Sequence, residues 1–133
     1  MTMRRVNPDK KKAESILEAA DREMGYVLAQ KMAPDAAATL VRGMYECFRA
    51  VGDALLVARG MEAKDHHPMI DEVLHLEVKT PQPIVVLDRL RRTRMNINYE
   101  GYFPSPAELQ EFAQFSRDCW RIILAAARSK LNA

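Results

Sequence analysis

Neither sign of charge dominates this chain. It carries 20 basic and 18 acidic side chains, a formal net charge of +2. Bulk charge therefore does not mark a nucleic-acid binder, and any basic site must come from local clustering. Cysteine is scarce: Cys47 and Cys119 stand far apart, each inside an apolar run with helical spacing. They are expected as small buried hydrophobes in a reducing compartment, not as a disulfide or a metal pair. Long apolar runs are missing, so no membrane-spanning helix is expected. No apolar stretch follows the charges of MTMRRVNPDKKK, so a secretory signal is not expected and the cytoplasm is. There is no glycine-rich phosphate loop, no HExxH and no GxSxG. The histidines, His66, His67 and His75, lack a nearby thiolate and a ligand-like spacing. No metal and no cofactor are expected.

What is present is a core. Apolar residues make up 48% of 133 residues, enough for one domain over 1–133. A chain this long buries roughly two-thirds of its unfolded surface. Seven prolines punctuate it near the breaks between periodic segments, where helices start. The segment over 8–32 places Ala13, Ile16, Leu17, Ala20, Met24, Val27 and Leu28 at helical spacing, with Asn7 as the expected N-cap. The segment over 34–59 does the same with Leu40, Val41, Met44, Phe48, Val51 and Leu55. Its alanines and glycines let neighbours approach, and Gly60 reads as its stop. A shorter segment covers 68–78 and a fourth covers 83–98. The last opens on Ser105-Pro106-Ala107-Glu108, the pattern of a capping box, and runs to the C-terminus. No segment alternates at period two for long enough to make a strand. The expectation is all-α: an up-and-down four-helix bundle with one additional short helix.

The stretch LDRLRRTRMNINYEGYFPSP, residues 87–106, is the least ordinary. On a helical wheel Leu87, Leu90 and Ile97 face inward. Leu87, Arg91, Arg94 and Asn98 form one row among them, while Arg89 and Arg92 fall outward. Arginine on an apolar face needs a partner or a cleft. Two readings are open. In one, Arg91 snorkels at the rim and Arg94 meets a carboxylate of a neighbouring helix, with Glu46, Asp53 and Asp88 suited by type. In the other, Arg94 and Asn98 line a groove for an anion such as a phosphate of RNA or of a nucleotide. The second segment carries a matching stripe, Arg42, Glu46, Arg49 and Asp53. Its Arg42–Glu46 and Arg49–Asp53 spacings suit ion pairs on a solvated face, or the wall of that same groove. Tyr99, Tyr102 and Phe103 surround Gly101 and either cap the end of the core or stack on bases.

Arg94 followed by INYEGYF and a capped final helix resembles the HEPN superfamily. So does YECFRAVGDALLVARG (45–60) followed by HHPMIDEVL. The resemblance spans 39–127 and implies a small helical bundle. Many members of that family are RNases that dimerise so that an Arg-x(4–6)-His motif from each subunit meets in a shared cleft. Others pair with minimal nucleotidyltransferases in toxin–antitoxin-like modules. By position, Arg94 is the motif arginine and Tyr99 stands where the histidine belongs. No histidine follows Arg94 in this chain. Tyrosine titrates near pH 10 and is a poor general base at neutral pH. The wheel and the resemblance together give the expectation of a cytoplasmic homodimer that binds RNA or a nucleotide through Arg91, Arg94, Asn98, Tyr102, Arg49 and Glu46, and that leans away from enzyme. Two alternatives stand beside it. One is a weak metal-independent endoribonuclease using Arg94 and Tyr99 in a cleft at the dimer interface. The other is a structural partner subunit of a nucleotidyltransferase.

Overall fold

The computed structural model describes residues 3–63 and 67–133. Within them the chain is all-α apart from one small two-stranded sheet. The order is β1 (Met3–Arg5), α1 (Lys10–Ala29), α2 (Ala37–Ala58), β2 (Met61–Ala63), α3 (His67–Leu74), α4 (Val86–Glu100) and α5 (Pro106–Leu131). His66 and the first two residues lie outside the described residues.

Helix α2 is the organising element. Its buried face carries Leu40, Val41, Met44, Tyr45, Phe48, Val51 and Leu55, and α1, α3, α4 and α5 all pack on it. Phe48 stands at the centre, 5.7 Å from the ring of Phe115 and 5.3 Å, edge-on, from that of Trp120. Such pairs add about 0.5–1.5 kcal/mol beyond their area. Trp120 keeps its indole N–H satisfied by donating to Asp21 at 2.9 Å. Cys47 and Cys119 are free and buried, as their settings imply.

Small residues decide how closely the helices meet. At Gly52 an added Cβ would lie 1.8 Å from the carbonyl oxygen of Met69, so α2 and α3 touch backbone to backbone there. The helix ends follow local chemistry. Ser105 accepts from the Glu108 amide and Glu108 accepts from the Ser105 amide, completing the expected capping box. Gly60 (φ 80°) and Gly101 (φ 66°) take left-handed conformations beyond the ends of α2 and α4. Both are turns that other residues would strain to make.

Four expectations need correction. The N-cap of α1 is Asp9, not Asn7: its carboxylate accepts from the Lys12 amide at 2.9 Å. The strands were not expected. They pair antiparallel with Arg4 opposite Glu62, and an Arg4–Glu62 ion pair bridges them at 2.7 Å. Three residues each are too few to show a period in sequence. Helix α3 stops at Leu74, and Leu76 and Val78 reach the core from non-helical backbone. Helix α4 begins at Val86, after a tight turn in which Val86 and Leu87 donate to Pro83 and Ile84, and continues to Glu100. Among the described residues no helix is long and apolar enough to cross a membrane.

Candidate functional site

The arginine row of α4 meets the polar stripe of α2 along the seam where those helices pack. Tyr45 is the floor of this seam. It is fully buried on α2, and the guanidinium of Arg94 lies over its ring, 5.3 Å from the centroid. Burial pushes the Tyr45 hydroxyl up to about 12. Arg94, Arg49 and Arg91 act against that shift and Glu46 with it, so three guanidinia and one carboxylate share its surroundings.

Glu46 ties the two helices together. It accepts from Nε of Arg49 at 2.8 Å and lies 3.7 Å from Nη2 of Arg94. Its expected partner, Arg42, instead reaches across to α4. Asn98 sits between Arg42 and Arg94. In one orientation its amide oxygen accepts from Arg42 at 3.5 Å. Rotated by half a turn, it accepts from Nε and Nη2 of Arg94 at 3.2 and 3.3 Å. Arg49 also directs an N–H at the sulfur of Met69, 3.4 Å away on α3. Arg91 pairs with Asp88 one turn earlier on α4. The side chain of Arg94 retains only 15% of its exposure. Arg42 and Arg49 are half-buried, with part of each side chain open to solvent.

The charge count is uneven. Four guanidinia, from Arg42, Arg49, Arg91 and Arg94, face two carboxylates, from Glu46 and Asp88. Two positive charges remain in excess, or one if Asp53, a turn and more beyond Arg49 on α2, is included. This is the local clustering that bulk composition does not reveal.

The seam unites Glu46, Arg49, Arg91, Arg94 and Asn98, all foreseen from spacing. It does not include Tyr99 or Tyr102. Tyr99 lies five residues after Arg94, about 140° round the helix, and is 74% exposed. Tyr102 and Phe103 are 40% and 56% exposed, so the aromatic turn does not cap the core. The hydroxyl of Tyr102 donates to Glu108, the capping residue of α5. Sequence reasoning passed over Tyr45 as a site residue. The available signal was a phenol beside Glu46 on the otherwise hydrocarbon face of α2.

His75 is exposed on the turn after α3. Among the described residues no three His, Cys, Asp or Glu side chains are grouped to hold a metal ion. No protein-family model, no curated protein and no solved structure matches this chain. Its class is therefore given by the fold alone: an all-α protein organised on one central helix, with an arginine-rich seam.

Proposed function

We propose that this chain is a cytoplasmic, HEPN-like up-and-down bundle of four helices and one short helix that binds RNA or a nucleotide without cutting it. It acts as a homodimeric regulatory module of a toxin–antitoxin type. The observation that carries the reading is the excess of guanidinium charge along the α2/α4 seam, with Arg42 and Arg49 part-open to solvent. A phosphate brings acceptor oxygens to each such guanidinium, and charge-assisted bonds of this kind are the strong ones. Arg94, held by Tyr45, Glu46 and Asn98, serves as the fixed wall of the site.

Two features argue against the endoribonuclease alternative. The Tyr45 hydroxyl, at about 12, keeps its proton at neutral pH and cannot activate a 2′-hydroxyl. Tyr99 stands where that family has its histidine, and a phenol is a poor general base at neutral pH.

The test is fluorescence anisotropy with a labelled oligoribonucleotide over a range of salt. Binding weakens as salt rises, and Arg42→Ala/Arg49→Ala lowers affinity by roughly 10–100-fold and flattens the salt slope by about 0.7 per lost phosphate contact. The RNA is recovered intact. Salt-independent binding, or affinity unchanged in the double variant, overturns the reading. RNA cleavage that persists through stringent purification and disappears in Arg94→Ala favours the enzyme instead.

A further inference from the structure

Among the described residues six large apolar side chains are exposed, and five of them lie along one side of α4 or at its ends. They are Val85, Met95, Tyr99, Tyr102 and Phe103. A monomer normally hides such a group or uses it. The spacing along this side is regular. Val85, Asp88, Arg92, Met95, Tyr99 and Tyr102 follow at alternating three- and four-residue steps. That is the repeat by which one helix meets another. Val85 is the N-cap but keeps helical backbone, so the row begins with it. On the wheel the row spans about 80°, opposite Leu87, Leu90 and Ile97, which face the core. Its far end is held in place. Gly101 turns the chain in the left-handed conformation, and the Tyr102 amide donates to the Asn96 carbonyl at 3.1 Å. The Tyr102 hydroxyl is bonded to Glu108, which in turn accepts from the Ser105 amide. Tyr, Phe, Met and Arg are enriched at the cores of protein interfaces and Lys is depleted. The row is made of those residues, and α4 has no lysine.

Charge selects the occupant. The aromatic end of the row is flanked by Glu100, which is exposed, and by Glu108, which disfavours a polyanion there. Within the row the charges are Asp88 and Arg92, which lie 3.6 Å apart and offset one another. A row with apolar ends and a neutralised middle is complementary to itself when reversed. In one antiparallel register Val85 meets Tyr102 of a second copy, Asp88 meets its Tyr99, and Arg92 meets its Met95. The two-fold axis repeats each pair. Apolar ends then cover apolar ends, the Tyr99 hydroxyl can donate to a carboxylate, and the stem of Arg92 lies over a thioether. A parallel pairing would instead set Asp88 on Asp88 and Arg92 on Arg92. We infer that the outer side of α4 is the contact between two copies of this chain, antiparallel about an axis that crosses the helices between Thr93 and Arg94. This rests on the homodimeric part of the reading above and names its surface. The part-open arginines of the seam, Arg42 and Arg49, belong to α2 and are not in the row.

The experiment is sedimentation equilibrium of wild type, Tyr99→Ala, Val85→Glu and Phe103→Lys, with thermal unfolding as the control for folding. Wild type sediments at twice the mass of one chain. Tyr99→Ala raises the dimer dissociation constant by about tenfold or more, as loss of an interface tyrosine does. Val85→Glu and Phe103→Lys, on exposed positions, leave Tm unchanged, and each alone is a monomer. Mixed in equal amounts, these two variants form a dimer again. The antiparallel register sets the new carboxylate of one beside the new ammonium of the other and leaves the opposite end as in wild type. A mixture that stays monomeric overturns the register and the inference with it. A wild-type dimer that all three variants preserve is built on another surface; it overturns the inference and leaves the homodimeric reading standing. A monomeric wild type at roughly 50 μM overturns both. Weaker oligoribonucleotide binding by Tyr99→Ala at unchanged mass assigns the row to nucleic acid and also overturns the inference.

Discussion

Arg94 is engaged by three groups of its own chain: the ring of Tyr45, the carboxylate of Glu46 and the amide of Asn98. Each bond is modest. Glu46 is partly exposed and its ion pair with Arg94 is long, so that pair alone is worth less than about 1 kcal/mol. The cation–π contact on a buried ring is worth about 0.5–2 kcal/mol, and the arginine stem covers apolar surface besides. Arg94→Ala should therefore destabilise by about 1–2 kcal/mol, read as a lower Tm and an earlier urea midpoint. Arg42→Ala, whose long contact to Asn98 is given up when that amide turns its oxygen to Arg94, should leave Tm unchanged while weakening nucleic-acid binding. A pair of variants with the opposite behaviour would move the working cation of the seam from Arg42 to Arg94.

At the scale of elements, α2 matters most because four other helices rest on it, and its glycines set the distances. In a helix interior Gly→Ala ordinarily stabilises by about 1 kcal/mol. At Gly25, in α1, a new Cβ meets nothing within 4 Å, and Gly25→Ala should show that gain. At Gly52 the new Cβ would lie 2.4 Å from the Met69 carbonyl carbon as well as 1.8 Å from its oxygen. Backbone cannot swing aside as a flexible side chain does, so α3 must move. Overpacking of this severity costs about 1–3 kcal/mol, occasionally more, and it outweighs the propensity gain. Denaturant unfolding of the two variants should thus give changes of opposite sign. Helix α4 is different in kind. Its apolar face is narrow, and the arginines beside it are tolerated because α2 offers Glu46 and α4 itself offers Asp88.

Across the whole molecule, titration should bound stability on both sides. Burial alone would raise the Asp21 carboxyl, but bonds from the Trp120 indole and the Arg121 guanidinium hold it below its usual range. Burial likewise works upward on Glu108 and is outweighed by the Tyr102 hydroxyl and by Ser105. Both carboxyls are more acidic folded than unfolded. Their stabilisation is complete above the unfolded value and is lost as pH falls through the folded one, so the urea midpoint should decline below about pH 4. Asp21→Asn and Tyr102→Phe should flatten that decline. On the alkaline side, burial pushes Cys47 and Tyr45 each up to about 12. Both are less acidic folded, so their stabilisation is complete below the unfolded values. It is lost as pH rises from about 9 towards 12. Cys47→Ala should remove part of that alkaline loss.

Much of this architecture was legible in the chain. Helical spacing, the prolines, the Ser105–Glu108 box and the glycines at 60 and 101 act over a few residues, and their free energies are local. So the all-α class, the five helices and the row Arg91, Arg94, Asn98 follow from sequence, to within a few residues at the ends. What is decided between distant segments was not legible. The three-residue pairing of β1 with β2 depends on where α2 ends. The choice of Arg49 and Arg94 over Arg42 as partners of Glu46, Tyr45 beneath the guanidinia, and the exposure of Tyr99, Tyr102 and Phe103 depend on how α2, α4 and α5 pack. A helical wheel says which residues share a side; only packing decides whether that side meets another helix or water.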